Sequence, residues 1–180
     1  MLYVVIGIIV LFLIFIFVSY NSFIKANNRV KEAFATMDTY MKKRWDLIPN
    51  LVETVKGYAG YEKDTLESII KARSNYDDMS QNEKLSTNED VTKQISKIMM
   101  LSESYPELKA NENFLDLSSN LTKVEDEIMN SRKYYNAVVR LFNNKVEMFP
   151  SNILAKIFGF KQYKMFEATD SERQNVKVDL

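Results

Sequence analysis

The chain begins with an unbroken apolar run and then changes to a seven-residue rhythm. "MLYVVIGIIVLFLIFIFV" holds 18 residues without a charge or a strongly polar group, and "SYNSFI" carries the uncharged stretch to Ile24. A helix rises 1.5 Å per residue, so about 20 such residues match the ~30 Å hydrocarbon core of a bilayer. The pattern predicts a transmembrane anchor with its interface over residues 1–24. Tyr3 and Tyr20 stand near its two ends, where amphipathic rings favour the boundary between lipid and water. A cleaved secretory signal is the competing reading. It calls for cations ahead of the apolar run and a small-x-small site behind it, and the sequence has neither. Lys25, Arg29 and Lys31 follow the run, and no cationic side chain precedes it. By the positive-inside rule, the chain from Lys25 onward is expected in the cytoplasm and the N-terminus outside.

From Phe23 onward, apolar positions return every seven residues in steps of three and four. One line is Phe23, Val30, Met37, Arg44, Leu51 and Tyr58; its companion is Phe34, Met41, Ile48 and Val55. This is the pattern of a helix packed in a left-handed bundle. The phase survives Pro49, so Pro49 is read as a kink that removes one backbone hydrogen bond. Gly57 and Gly60, in "GYAG", are read as the stop. A second helix is expected from Tyr61 to Met79. "SQNEKLSTNED" reads as a polar loop, with Ser86, Thr87 and Asn88 as N-cap candidates for a third helix carrying Val91, Ile95, Ile98, Met99 and Leu101. A fourth is expected from Glu107 to Val146, about 60 Å long. Its lines are Phe114, Leu121, Ile128, Tyr135, Phe142 and Leu117, Val124, Ser131, Val138. The fold class predicted is all-α: a transmembrane helix followed by an up-and-down four-helix bundle with long helices over 25–149.

After Pro150, a short amphipathic helix is expected to close the bundle over 150–166. Ser151 is its N-cap candidate, Ile153, Leu154, Ile157 and Phe158 its apolar side, and Gly159 its terminator. Phe158, Phe160, Tyr163 and Phe166 alternate with Lys156, Lys161 and Lys164, which suits either packing on the bundle base or a lipid interface. A polar tail over 167–180 ends the chain, with Val176, Val178 and Leu180 as possible docking residues.

Composition narrows the chemistry. The 180 residues contain no Cys and no His, which removes thiolate nucleophiles, disulfides, imidazole bases and the usual zinc ligands. Lys plus Arg and Asp plus Glu are 24 each, so no basic excess points to nucleic acid. Only 4 Gly and 3 Pro occur, which favours long helices over many short strands. The sequence holds no glycine-rich phosphate loop, nucleophile elbow or metal-ligand spacing, so no catalytic residue, cofactor or metal is assigned.

Arg44 is the one charge on a core line. A buried cation must pair or reach the bundle edge. Antiparallel packing of the first and fourth helices would set it opposite Ile128, beside Glu125, Glu127 and Ser131. Two readings follow: an active-site arginine, or a structural pair that fixes helix register, which is the better-attested role. Trp45 is read as a packing anchor, and Asp46 and Glu53 as solvated or ion-paired. The "EDE" at 125–127 is read as a solvated helix face, with a soft divalent-ion contact as the alternative.

The stretch "NNRVKEAFATMDTYMKKRWDLIPNLVETVKGYAGYEKDTLESIIKARS" behind an anchor and "YNSFIKANNRV" resembles the LemA family, as does "YYNAVVRLFNNKVEMFPSNILAKIFGF" with the "FE" after it. The resemblance covers nearly the whole chain. It implies a single-pass bacterial membrane protein with a four-helix domain and no established enzymatic activity. It also implies links to the organisation of membrane compartments, and gene neighbourhoods that include membrane proteases. The sequence has Tyr61, Lys31 and Phe34 where the family commonly has His, Asp and Trp. Tyr61 argues against imidazole chemistry at that position. The resulting expectation is a membrane-anchored, non-enzymatic scaffold or adaptor; the alternative is a regulatory or client-recognition partner of a membrane protease. The lipid bilayer, further copies of the chain and another membrane protein are the partners expected.

Overall fold

The computed structural model describes residues 1–58 and 75–166. Among them all regular structure is helical: α1 (Leu2–Lys56), α2 (Gln81–Ser102), α3 (Pro106–Lys109), α4 (Glu112–Glu147) and α5 (Ser151–Phe158). The apolar run and the first seam therefore belong to one continuous helix. Pro49 lies inside α1 and does not end it. The chain divides into two compact units. One is Met1–Thr36 with Ser131–Met165; the other is Met37–Asn130 with Phe166–Leu180, considered over its described residues. The boundaries at Thr36/Met37 and Asn130/Ser131 fall inside the 25–149 segment that the sequence suggests as a single domain; the third, at Met165/Phe166, falls after it.

In the first unit, α1 and α4 run antiparallel, since partners fall in number on α4 as they rise on α1. Lys145 bonds Ser22, Phe142 lies 6.4 Å from Phe23, and Tyr135 lies 6.0 Å from Phe34. The chain beyond α5 is threaded onto this pair. Phe160 stacks on Phe23 at 4.7 Å and 11°. The Asn143 amide accepts from the Tyr163 N–H and donates to the Tyr163 carbonyl, both at 2.9 Å. The Tyr163 hydroxyl donates to Asn27 Oδ1 at 2.8 Å, and the Tyr135 hydroxyl donates to the Lys164 carbonyl at 2.9 Å. A segment without regular structure needs such partners for its backbone polar groups.

The second unit repeats the antiparallel relation, with Arg44 on Glu125 and Tyr58 on Asn111. In it α2 lies parallel to the α1 segment: Lys84 meets Asp38, and Asn88 and Thr92 meet Arg44. The seam read from the sequence is the core. Phe23, Val30, Met37, Leu51, Met41, Ile48 and Val55 on α1 are buried, as are Phe114, Leu121, Ile128, Tyr135 and Phe142 on α4. Each aliphatic or aromatic side chain buried in this way contributes about 1.5–3 kcal/mol. Phe34 and Leu117 are only half-buried, and Ala33 and Val52 join the core beside them.

Four local expectations need correction. The "SQNEKLSTNED" stretch is not a loop: α2 starts at Gln81, and its cap is Ser80. The Ser80 N–H donates to Glu83 Oε2 at 2.7 Å and the Glu83 N–H donates to Ser80 Oγ at 3.4 Å, which is a capping box. Ser86, Thr87 and Asn88 therefore lie inside α2, not at its start. Residues 75–78 form a turn, so no helix reaches Met79; residues 61–74, with Gly60 and Tyr61, lie outside the described residues. The expected fourth helix is broken at Ala110 and Asn111, and Asn111 Oδ1 caps α4 by accepting from the Phe114 N–H at 3.1 Å. Ser151 is not an N-cap: Pro150 holds that position, and the Ser151 hydroxyl donates to the Lys145 and Met148 carbonyls of the preceding turn. Gly159 does terminate α5, at φ 73°, a left-handed geometry that favours glycine. The tail over 167–180 lies outside the described residues.

Candidate functional site

The buried charge predicted on α1 is the centre of a polar network in the second unit. Arg44 is fully buried, beside Trp45 in the same core. Its Nη1 donates to Glu125 Oε1 at 2.8 Å and to Thr92 Oγ1 at 2.9 Å. Its Nη2 donates to Asn88 Oδ1 at 2.6 Å, with the Asn88 carbonyl at 3.4 Å. The Nε–H has no acceptor. A guanidinium stripped of water is very unfavourable unless its protons find acceptors, and the fork shape of arginine lets one residue reach two helices at once. Of the two carboxylates considered, Glu125 is the partner and Glu127 is exposed. Asp46 and Glu53 are exposed as well.

The stripe on α2 that faces this region is polar. Lys84, Asn88 and Thr92 are spaced four apart and so share one helix face. Lys84 Nζ lies 3.0 Å from Asp38 Oδ2 and 4.6 Å from the centre of the Tyr76 ring. The Tyr76 hydroxyl donates to Asp38 Oδ1 at 2.6 Å, and its ring lies 5.7 Å from Trp45. Burial is the main cause that pushes the Tyr76 phenol far above its ordinary value, and the hydrogen bond to Asp38 and the charge of Asp38 add to it. At the surface, the hydrogen bond to Asp77 raises Lys42.

This arrangement binds three helices together. A cavity of 360 Å³ is lined by Asn50, Glu53, Thr54, Asn113, Asp116, Leu117 and Asn120. Another of 400 Å³ is lined by Gly57, Tyr58, Tyr105, Pro106 and Glu107. Neither includes Arg44 or Glu125. Among the described residues no three His, Cys, Asp or Glu side chains gather as a metal set.

The membrane-boundary tyrosines and the aromatic and lysine residues from Phe158 to Lys164 lie in the first unit, and Phe166 in the second. Tyr3 is exposed, and Tyr20 packs on Phe158 at 4.8 Å. Phe160 and Tyr163 pack against Phe142 at 6.4 Å and 5.3 Å, while Lys161 and Lys164 are exposed. Phe166 is buried. The sequence pattern left Thr92 and Asp38 unmarked and read Asn88 as a helix cap, not as a partner of Arg44. The four-residue spacing of Lys84, Asn88 and Thr92 was the available signal.

A chain without His or Cys, whose regular structure is all helical among the described residues and whose first helix is long and apolar enough to cross a membrane, defines a class of helical, membrane-associated protein. The chain belongs to the LemA family, whose sequence profile matches residues 33–180. It is 25% identical to "Protein LemA" of Metamycoplasma hominis over 158 residues, which covers 87% of this chain and 72% of that protein. It is also 30% identical over 73 residues to "Magnetosome protein MamQ 2" and "Magnetosome protein MamQ 1" of Paramagnetospirillum magneticum. Those matches cover 41% of this chain and only 27% of each relative.

Proposed function

We propose that the protein is a membrane-anchored, non-enzymatic scaffold or adaptor that presents a four-helix bundle at the cytoplasmic face of a bacterial membrane. The observation that carries this reading is the continuity of α1. Its N-terminal stretch is uncharged, apolar and unburied over a length that would cross a bilayer, and the same helix then supplies the core seam. Side chains such as Ile9, Leu13 and Phe17 are exposed all round, and the hydrophobic effect leaves such a surface to lipid. The antiparallel α1–α4 pair with α2 parallel to α1 supports the bundle topology. The Arg44–Glu125 pair acts as the register lock of α1 against α4, since a one-turn slip would strand a buried charge. Lys25, Arg29 and Lys31 support the cytoplasmic orientation. Family membership and the likeness to two proteins named as magnetosome proteins support a membrane-associated role.

Two measurements test it. The chain has no native Cys, so one introduced at exposed Ser86 reports topology cleanly. It should resist a membrane-impermeant maleimide in intact cells and react after permeabilisation; labelling of intact cells overturns the orientation. Cross-linking of the full chain in cells and in nanodiscs should give multimers or adducts with another membrane protein. A species that stays monomeric and free of adducts throughout overturns the scaffold reading.

A further inference from the structure

The helix α5 is apolar on two sides. Leu154 and Ala155 face inward and are buried. Ile153, Ile157 and Phe158 face outward, and Met148 and Phe149 stand beside them, just before α5. The exposures of Met148, Phe149 and Ile157 are 62%, 79% and 68%. Bundle packing accounts for the inner side only. An outer side with five large apolar groups on eleven residues is far more than a water-facing turn ordinarily carries.

The place of this cluster in the first unit identifies its solvent. The Phe158 ring lies 4.8 Å from that of Tyr20, at the end of the exposed apolar stretch of α1. Phe160 follows at 6.2 Å from Tyr20, and Lys145 at the end of α4 reaches Ser22. The outer side of α5 thus continues the surface of the span at the depth of Tyr20. Counted at 1.5 Å per residue from Leu2, that depth is about 27 Å along the helix, the edge of a hydrocarbon core. Lys156 and Lys161 are exposed on the same segment, where their charges would meet headgroups.

We infer that α5, with Met148 and Phe149, lies in the lipid interface beside the span and forms a second membrane contact. A single helix leaves a domain free to tilt and to rotate about the helix axis. A second contact, just after α4, restricts both freedoms for the first unit, which carries the span and α5. This inference rests on α1 being a membrane span. It does not depend on the scaffold role or on which face of the membrane carries the domain.

The test uses the full chain in vesicles of equal parts phosphatidylcholine and phosphatidylglycerol. Single cysteines at Ile157, Ile9 and Ser86 each carry an environment-sensitive fluorophore, and lipids with nitroxides at shallow and deep chain positions act as quenchers. All three residues are exposed within their own units, so labelling leaves the cores intact. The expected result is strong shallow quenching at Ile157, deep quenching at Ile9 and none at Ser86. If Ile9 is quenched but Ile157 is as wet as Ser86, the interfacial contact is wrong and the span stands. If Ile157 is blue-shifted yet beyond reach of the quenchers, protein covers it and the inference is overturned. If Ile9 is not quenched, the span itself fails and the inference falls with it.

Discussion

Arg44 and Glu125 stand 81 positions apart in the chain and 2.8 Å apart in space. The pair joins α1 to α4, while Asn88 and Thr92 tie the same guanidinium to α2. Three helices thus share one buried cation. Glu125 keeps about a third of its side chain in water, so its carboxylate is partly screened, whereas Arg44 has no water to fall back on.

Removing partners of Arg44 should cost more than removing Arg44 together with the group that depends on it. Glu125→Ala leaves a buried cation with neutral acceptors only and should destabilise by about 3 kcal/mol. Arg44→Met alone strands the buried Asn88 side chain and should cost about 1–3 kcal/mol. Arg44→Met with Asn88→Leu replaces the polar cluster by apolar packing and should return to within about 1 kcal/mol of the parent. Thermal unfolding of the full chain in mild detergent measures the order. A double variant worse than Glu125→Ala would contradict it.

Much of the fold is legible because the α1 and α4 seams bury apolar groups and leave a seven-residue signal. On α2 the apolar line Val91, Ile95 and Ile98 was legible and is buried, but the polar face beside it was not. The face of α2 that meets Arg44 is Lys84, Asn88 and Thr92, so a buried surface reads as a solvated one. The start of α2 was hidden by the same polarity, although Ser80 and Glu83 carry the spacing of a capping box. The break before α4 rests on a single side chain, Asn111, within a run of good helix formers. Arg44 itself was legible as a charge on an apolar line. Its α2 partners were not, because nothing in the α1 pattern says which helix lies alongside.

The capping box gives a prediction with a pH signature. Ser80→Ala removes an acceptor from the Glu83 N–H and should cost about 1 kcal/mol. Hydrogen bonds from the Ser80 hydroxyl and backbone lower the Glu83 carboxyl below its ordinary range. A carboxyl lowered by folding stabilises above its unfolded pKa, and that contribution is lost as pH falls through its folded value. The difference in stability between the parent and Glu83→Gln should therefore be largest near neutral pH and shrink on acidification. A difference that stays constant down to acid pH would count against the box.

Tyr76 predicts the converse at alkaline pH. Its phenol is held neutral by burial and by Asp38, so its folded pKa lies above the unfolded value. Stability from such a group is complete below the unfolded pKa of about 10 and is lost progressively as pH rises above it. The parent should lose stability in that range faster than Tyr76→Phe, which has no phenol to ionise. Equal slopes for the two proteins above pH 10 would show that Tyr76 is not protected.

The chain after α5 depends on one amide. Asn143 satisfies both backbone groups of Tyr163, as acceptor for the N–H and donor to the carbonyl. Asn143→Ala removes both bonds at once. The Phe160 ring on Phe23 and the Tyr163 hydroxyl on Asn27 remain, so the segment should loosen without the unit unfolding. Two unpaired half-buried backbone groups cost about 1–3 kcal/mol each unless water reaches them, and opening the segment is how water reaches them. Lys161 and Lys164 flank Tyr163, so trypsin reports that opening directly. Cleavage after Lys161 or Lys164 should be slow in the parent and clearly faster in Asn143→Ala, with helical content unchanged. Asn143→Asp keeps an acceptor for the Tyr163 N–H but loses the donor to its carbonyl, so its cleavage rate should lie between the two. If Asn143→Ala is cut no faster than the parent, the aromatic contacts alone hold the segment in place.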